Sequence, residues 1–300
     1  MGGFEGGDEG GFWDIDPLPG LIQKQNKNRT NEKSRKKPSI EINDASQSIK
    51  AHAKLTIFLK VRGDDNGHPN LLSRVIRLEE LYDTISFVPC KCDTFTIEGC
   101  DDIPLESNSI YKAYKALYKY TNDPDIEEFF EEHKVIVNKR ITSSVGLGGS
   151  ASNAAAFIYL LKEVCNLILS RDELINIGNT IASDLAFFIY NYPSANVSGS
   201  GEIIEPFEEE TLNVELYTSE IQCDEMLLYQ TFKKDLFNNI SLSLFEGWET
   251  LDSKSIIERM ADPVTINDYY AAALIAYPEL HKMAKEGWFF SGSTFFKPLN

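Results

Sequence analysis

The stretch of sequence that most constrains the fold is SSVGLGGSASNAAAF, residues 143–157, which sets three glycines against an apolar run. The residues just before it are apolar and β-prone, as in a strand, and apolar side chains occupy nearly every side of 154–168, as in a buried helix. Gly146, Gly148 and Gly149 leave the intervening backbone free of Cβ atoms. This spacing alone leaves two interpretations open: a simple turn into a helix, or an anion-binding loop at a helix N-terminus.

Charge and cysteine content limit the kind of partner and the compartment. The 300 residues carry 29 Lys and Arg against 46 Asp and Glu, a formal net charge of −17. Such a surface repels nucleic acid and anionic lipid, so a phosphate ligand has to be held by local groups. The five cysteines show no zinc-like spacing, and their odd number fits poorly with a disulfide framework. No apolar run reaches the roughly 18 residues of a membrane span. We therefore expect a cytoplasmic protein that binds neither nucleic acid nor membrane.

The sequence divides into three parts of different character. Residues 1–48 are Gly-rich and acidic, then basic and nearly free of apolar side chains, which predicts a disordered extension. From residue 49 onward, strands come in pairs with helices between them, and a second mixture of strands and helices follows residue 205. Regular βαβ alternation is missing, which favours an α+β fold of two lobes, 49–204 and 205–300, over a doubly wound sheet.

Local patterns predict the individual elements. Strands are expected at 51–61, 82–88, 94–99, 134–141, 203–207, 213–218 and 293–297, with a turn at 66–70. Helices are expected at 107–120, 154–168, 171–181, 224–233, 253–261 and 277–286. Ser170 and Glu173 have the spacing of a capping box at the start of the third of these helices.

Two ionisable residues lie in apolar surroundings. Lys54 lies inside the strand AHAKLTIFLKV, where a lysine needs either a partner or a path to water. Asp184 lies in IASDLAFFIY, where an acid is either a helix N-cap or a catalytic group. Each therefore has an ordinary structural interpretation beside a functional one. Taken in order along the chain, the lysine, the glycine loop and the aspartate form a set that suits phosphoryl transfer.

Five stretches together resemble the motifs of the GHMP small-molecule kinases, and within them the branch that phosphorylates a cytidine-diphosphate-linked methylerythritol. They are AHAKLTIFLKV, GLGGSASNAAAF, IASDLAFFI, SANVSGSGE and FFSGSTFFK, in the family's order, over residues 50–297. The resemblance implies a two-lobed α+β fold, with an N-terminal lobe like ribosomal protein S5 domain 2 and a C-terminal α/β sandwich lobe. It also implies a kinase that uses ATP and Mg²⁺ on the 2-hydroxyl of that alcohol, in non-mevalonate isoprenoid precursor synthesis.

The resemblance further implies roles for individual residues. Lys54 and Asp184 match the catalytic positions: Asp184 would accept the hydroxyl proton, and Lys54 would keep that carboxylate ionised. The phosphates of ATP would lie over the glycine loop, with Ser152 aiding the metal ion. The loop residues are Gly146, Leu147, Gly148, Gly149, Ser150, Ala151 and Ser152. The residues expected to bind substrate are His52, Thr56, His68 and Tyr229.

Several positions depart from the family's motifs. His68 and Pro69 stand where the family has the tyrosine–histidine pair that meets the cytosine base, and Tyr229 has an equally good interpretation as a core aromatic. Ser150 and Ala151 replace a loop glycine and a loop serine, and the closing loop SGST is two residues shorter than the family's. These changes keep open a kinase of another alcohol, such as homoserine, or a nucleotide-binding relative with weakened catalysis. The oligomeric state is expected to be a monomer or a homodimer.

Overall fold

The computed structural model describes residues 42–43, 47–237, 245–260 and 262–299. The expected disordered extension therefore lies almost wholly outside the described residues. Its strand 42–43 is described, and it pairs antiparallel with Ser48 and Ile49, so strand pairing begins before the expected start of the globular part.

The described part of the chain contains ten strands. They are β1 (Ile42–Asn43), β2 (Ser48–Asp65), β3 (His68–Pro89), β4 (Ile97–Glu98), β5 (His133–Asn138), β6 (Ser194–Gly199), β7 (Ile203–Pro206), β8 (Val214–Thr218), β9 (Phe289–Ser291) and β10 (Thr294–Pro298). Seven of them form one mixed sheet, and β8, β10 and β9 form a second, antiparallel sheet in that order.

Nine α-helices lie among the same residues. They are α1 (Ser109–Thr121), α2 (Asp125–Glu132), α3 (Gly149–Val164), α4 (Arg171–Asn179), α5 (Leu185–Tyr190), α6 (Glu225–Asp235), α7 (Ser253–Arg259), α8 (Asp268–Ala276) and α9 (His281–Lys285). The capping box predicted from Ser170 and Glu173 is present at the start of α4. Helices and strands are thus mixed without regular alternation, which confirms the expected α+β class.

A long hairpin of β2 and β3 lies at the centre of the larger sheet. Asn66 and Gly67 close it with φ of 55° and 93°, the paired positive values that a tight two-residue hairpin turn requires. The predicted turn at 66–70 is therefore too long, because His68 already belongs to β3. The edge of β3 that faces away from β2 pairs with β5 and with β6, so the hairpin connects most strands of the sheet.

The hydrophobic core lies on both sides of this hairpin. Helices α1, α3, α4 and α5 pack against one face of the larger sheet, and α3 contributes an almost continuous buried run from Ala154 to Leu161. The second sheet and helices α6 and α8 pack around the other part of β2 and β3, through side chains such as Phe58 and Phe290. The larger sheet ends at residue 206 and the second sheet begins at 214, close to the expected lobe boundary, which stays a prediction.

Element boundaries were the weakest of the sequence predictions. Helix α3 begins at Gly149, five residues before the predicted start, because the glycine loop itself supplies the first helical turn. Only 97–98 of the predicted strand 94–99 is a strand. Helix α8 and strand β6 were not predicted, since NDYYAAALIA lacks a polar stripe and SANVSG is rich in small residues.

The cysteines contain one pair that the sequence analysis did not predict. Cys90 and Cys92 form a disulfide just after β3, with their Cα atoms 5.6 Å apart, within the span that a disulfide bridges. The other three cysteines are free and half-buried. Among the described helices, none has the length and apolar character needed to cross a lipid bilayer.

A buried arginine ties the loop after β7 to the hairpin. The side chain of Arg74, on β3, is fully buried and donates to Asn196 Oδ1 at 2.9 Å, to Glu209 Oε2 at 3.3 Å and to the Glu249 carbonyl at 3.2 Å. The Glu209 side chain is only 5% exposed. Removing either partner would therefore leave the other as an unpaired buried charge.

We expect Arg74→Ala to lower the free energy of unfolding by about 3–5 kcal/mol, because the buried Glu209 carboxylate loses the cation that balances its charge. Urea unfolding followed by circular dichroism measures this change. Lys254→Ala is the matched control, since Lys254 forms an ion pair with Glu258 in which both side chains are more than 60% exposed. The control should lose less than about 0.5 kcal/mol; similar losses in the two variants would contradict this account of Arg74.

Candidate active site

The N-terminus of α3 provides a set of free backbone amides. The residue that precedes the helix, Gly148, has φ 68° and no side chain with which to cap the helix. The first amide that bonds within the helix is that of Ser152, which donates to the Gly148 carbonyl at 2.9 Å. The amides of residues 149–151 thus have no intrahelical acceptor, and they lie at the positive end of the helix dipole. This arrangement favours binding of an anion.

Two neighbouring segments hold the glycine loop in place. The Lys54 amide donates to the Leu147 carbonyl at 2.9 Å, which fastens the loop to the free edge of β2. From the C-terminal side, Thr294 Oγ1 donates to the Val145 carbonyl at 2.9 Å. A Cβ atom on Gly146 would lie 2.7 Å from the Gly292 Cα, so the loop and the closing segment are in backbone contact. The loop therefore has little freedom to move away from α3.

The short closing loop SGST still packs directly against the glycine loop. Ser291 Oγ accepts a hydrogen bond from the Thr56 amide at 3.0 Å, and Ser293 Oγ accepts one from the Cys223 amide at 2.7 Å. These contacts connect the closing loop to β2 and to the segment before α6. The two missing residues have therefore not detached this loop from the site.

Lys54 and Asp184 are brought together beside the loop. The Lys54 Nζ lies 3.8 Å from Asp184 Oδ2, and the two side chains are 17% and 40% exposed. Asp184 occupies the N-cap position of α5, as one of the two interpretations expected, but its side chain makes no capping hydrogen bond and stays available for another role. Lys54 does not extend into open water, because a Cβ at Gly148 would lie 2.9 Å from its Cγ and Cε atoms. The lysine stem thus packs on the glycine of the loop.

Two cavities meet at this ion pair. The first has a volume of about 290 Å³ and lies along the glycine loop, and the second, of about 480 Å³, lies between the hairpin and the helices α6 and α8. Five residues are shared by the linings of the two cavities: Lys54, Ser144, Gly146, Asp184 and Glu225. The lysine and the aspartate thus stand where a group bound in one cavity can reach a group bound in the other.

A buried carboxylate, Asp83, binds residues that precede and follow the glycine loop in the sequence. It is fully buried and accepts hydrogen bonds from Lys139 Nζ at 2.6 Å, from the Arg140 and Ile141 amides at 2.7 and 2.8 Å, and from Asn153 Nδ2 at 2.9 Å. It thereby joins the end of β5 to the first turns of α3. The sequence analysis missed Asp83, although an acid inside the apolar strand YDTISFV was a usable signal.

The loop residues expected to bind phosphate do not all face the cavity. Residues 146–149 and Ser150 line the first cavity. Ala151 and Ser152 are 4% and 3% exposed and line neither cavity. The geometry does not favour the expected role of Ser152 as a metal ligand. Among the described residues no group of three or more His, Cys, Asp or Glu side chains is arranged to hold a metal ion.

Of the four expected substrate residues, only Thr56 lines either of the two cavities described above. Thr56 lines the second cavity, whereas His52 and Tyr229 are packed elsewhere and His68 is exposed at the hairpin tip. His52 lies 3.3 Å from the Leu78 carbonyl, and burial lowers the pKa of its ring. These placements do not favour the expected contacts of these three residues.

Tyr229 belongs to the core of the protein. Its side chain is 4% exposed, and its hydroxyl donates to the Asp64 carboxylate. Hydrogen bonds from Lys233 and then from Tyr229 lower the pKa of Asp64 to about 2. The hydroxyl is therefore already used inside the protein, which supports the core-aromatic interpretation of Tyr229.

Fold and loop together define a class of protein. Residues 108–192, which include α3 and the aspartate, match the family described as GHMP kinases N terminal domain. Among solved structures, a 4-(cytidine 5'-diphospho)-2C-methyl-D-erythritol kinase superposes with a TM-score of 0.66 at 22% identity, covering 84% of this chain and 89% of that one. The mevalonate kinase of Methanococcus jannaschii superposes at 0.54 and 14% identity, covering 86% and 92%. At such identities these structures establish the fold alone.

Sequence relatives narrow the class to one family. A 4-diphosphocytidyl-2-C-methyl-D-erythritol kinase of Sulfurovum sp. is 50% identical over 252 residues, which are 83% of this chain and 98% of the relative. The enzyme of the same name from Campylobacter jejuni is 35% identical over 251 residues, 82% of this chain and 96% of the relative. The chain belongs to the GHMP kinases and, within them, to the family of 4-diphosphocytidyl-2-C-methyl-D-erythritol kinases.

We expect Gly148→Ala to weaken binding of an ATP analogue at least about tenfold, because the new Cβ would lie 2.7 Å from Phe188 Cζ and 2.9 Å from the Lys54 side chain. Isothermal titration calorimetry measures the affinity. Gly67→Ala is the control, since Gly67 also has a positive φ, 93°, but its added Cβ meets nothing within 4 Å. Backbone strain should lower the stability of both variants by about 1–2 kcal/mol, and the overlap should lower that of Gly148→Ala further. Unchanged affinity in Gly148→Ala would contradict the close packing inferred for the loop.

Proposed function

We propose that this protein transfers the γ-phosphoryl group of ATP to the 2-hydroxyl of 4-diphosphocytidyl-2-C-methyl-D-erythritol, a step of non-mevalonate isoprenoid precursor synthesis. The observation that carries the proposal is the Lys54–Asp184 pair, 3.8 Å apart, at the meeting point of the two cavities. One cavity would hold the nucleotide and the other the alcohol. Membership in a family named for this reaction supports the choice of substrate.

The nucleotide belongs in the cavity along the glycine loop. Its phosphates would lie over residues 146–150, where the free amides of the first turn of α3 donate to phosphate oxygens. These amides are positioned before the ligand arrives, because Lys54, Thr294 and Asp83 hold the loop and the helix start. Preorganised donors stabilise the charge that develops during transfer without having to reorganise.

Mg²⁺ would enter this site with the nucleotide. Magnesium is usually held by one or two carboxylates together with substrate phosphates and water. Glu225 lines the meeting point of the cavities and supplies such a carboxylate, so the residues present fit the ion. When bound, the ion would neutralise phosphate charge. Ser152 has no part in this proposal, because its side chain does not line the cavity.

Asp184 would act as the proton acceptor for the alcohol. Its carboxylate is 40% exposed toward the cavities, which leaves it within reach of a bound hydroxyl. The Lys54 ammonium, 3.8 Å from this carboxylate, offers positive charge beside the transferred group. Most of the rate acceleration would come from holding the hydroxyl oxygen in line with the phosphorus atom and the leaving oxygen, with the carboxylate beside the hydroxyl.

The first test is turnover. The purified full chain with Mg-ATP and 4-diphosphocytidyl-2-C-methyl-D-erythritol should release ADP and form the 2-phosphate, measured by coupled assay and by ³¹P NMR. Homoserine and mevalonate, offered in parallel, should give at most background release. No ADP from folded protein with the cytidine-linked alcohol, or faster turnover of another alcohol, would contradict the proposal.

We expect Asp184→Asn to lower turnover by about 10²–10⁴-fold while leaving the affinity for ATP nearly unchanged, because the amide cannot accept the hydroxyl proton. Steady-state kinetics and nucleotide titration together measure the two effects. Asp172→Asn, a change of an exposed acid in the first turn of α4, is the control and should retain full turnover.

Equal damage to turnover and to ATP affinity in Asp184→Asn would show that the aspartate holds metal or structure rather than the proton. Lys54→Ala should also lose most turnover, and a variant with normal rates would remove Lys54 from the mechanism.

A further inference from the structure

The second cavity has an apolar part that lies away from the reacting groups. It is lined by Leu59, Leu71, Leu228 and Phe290, none of which lines the nucleotide cavity. If the acceptor hydroxyl lies at Asp184, the polar chain of the acceptor occupies the shared end of the cavity. An apolar section of this kind suits the other end of the acceptor, a flat aromatic ring.

A single phenol belongs to this apolar part of the cavity. Tyr269, the second residue of α8, lines the cavity and is only 4% exposed. No hydrogen bond among the described residues uses its hydroxyl. The hydroxyl oxygen nevertheless keeps some exposed surface, unlike the core polar atoms that have neither a partner nor contact with solvent. The hydroxyl therefore opens onto the cavity that the side chain lines. A polar group buried to this extent normally has a hydrogen-bond partner.

The backbone around Tyr269 is fixed. Its amide donates to Asn267 Oδ1 at 3.0 Å, and Asn267 Nδ2 donates to the Phe290 carbonyl at 2.9 Å. The next side chain along, Asp268, accepts from Lys60 Nζ and from the Val61 amide. The start of α8 is thereby bound to β2 and β9, so the ring of Tyr269 is held at the cavity wall before any ligand binds.

The hydroxyl of Tyr269 is available as a donor. Burial, and to a smaller extent the negative charges of Glu225 and Asp268, raise the pKa of Tyr269 above its usual value. The phenol therefore keeps its proton at neutral pH. A neutral hydroxyl at the wall of an apolar cavity pairs well with an acceptor on the edge of a heteroaromatic ring.

The positions that the family resemblance assigned to the base do not fill this role here. His68 is exposed at the hairpin tip and lines neither cavity, Pro69 has no side-chain donor, and the hydroxyl of Tyr229 is bonded to Asp64. Another donor is needed if a base is to be recognised in the second cavity.

We infer that Tyr269 is a specificity-determining residue, whose hydroxyl donates a hydrogen bond to the pyrimidine base of the acceptor in the second cavity. The inference rests on the proposed function for the identity of the ligand as a cytidine nucleotide. The acceptors on cytosine are its O2 and N3 atoms, and either one completes the hydrogen bonding of the phenol.

The test removes only the hydroxyl. We expect Tyr269→Phe to raise the KM for the cytidine-linked acceptor about tenfold, the loss typical of one hydrogen bond in a buried site, with kcat and the KM for ATP unchanged. Direct titration with cytidine monophosphate, which lacks the methylerythritol, should show the same loss of affinity. Tyr270→Phe is the matched control, because the Tyr270 hydroxyl is sealed inside the core and has no hydrogen-bond partner among the described residues. Its removal should leave both values at wild type.

The outcomes separate this inference from the proposed function. Wild-type turnover with an unchanged KM and unchanged cytidine monophosphate affinity in Tyr269→Phe would overturn the inference and leave the kinase intact. A wild-type protein without turnover would end the proposed function, and the titration would still decide the inference. In that case, the inference is supported if cytidine monophosphate binds the wild type and binds Tyr269→Phe more weakly. The inference is overturned if cytidine monophosphate does not bind the wild type.

Discussion

The uncapped start of α3 is the constraint on which the rest of the site depends. A helix that begins after a glycine in a left-handed conformation leaves its first amides without side-chain partners, and such a start is tolerated when an anion or solvent completes them. The neighbouring structure serves to keep these amides in place. The Lys54 amide holds the loop on one side, Thr294 and Gly292 hold it on another, and Asp83 binds the residues behind it. Elements distant in sequence thus converge on one short loop.

Net charge explains why this backbone arrangement matters. A protein with a formal charge of −17 does not attract a triphosphate through its general field, and the shared end of the two cavities adds the carboxylates of Asp184 and Glu225. Binding has to come from short-range donors, which include the free amides of α3 and the Lys54 ammonium. The same ammonium stands 3.8 Å from Asp184, so one cation serves both the phosphate and the proton acceptor.

Sequence patterns predicted the parts of the site that local chemistry determines. The glycines, Lys54 and Asp184 were identifiable because each violates the local rule for its element: flexible backbone before a buried helix, and charges within apolar runs. The start of α3 was misplaced because propensity assigns Gly149 to a loop, while the tertiary contacts of the loop stabilise it as helix.

Features that depend on distant parts of the chain were not predictable in this way. Asp83 acquires its role from residues more than fifty positions away, and Tyr269 joins the cavity through the packing of α8, a helix with no polar stripe to reveal it. His68 and Tyr229, which the family resemblance assigned to the cytosine base, lie outside the second cavity. A motif gives the type and order of residues, but it does not show that the Tyr229 hydroxyl is already bonded to Asp64. Five matching motifs fixed the family, while the contacts of single side chains required the fold.

The central claim concerns where the triphosphate lies. A crystal structure of the full chain with Mg²⁺ and a non-hydrolysable ATP analogue tests it most directly. The account predicts phosphate oxygens within about 3 Å of the backbone nitrogens at the start of α3, with the γ-phosphate beside Lys54 and facing the second cavity. Phosphates bound elsewhere, or a γ-phosphate turned away from Lys54 and Asp184, would contradict it.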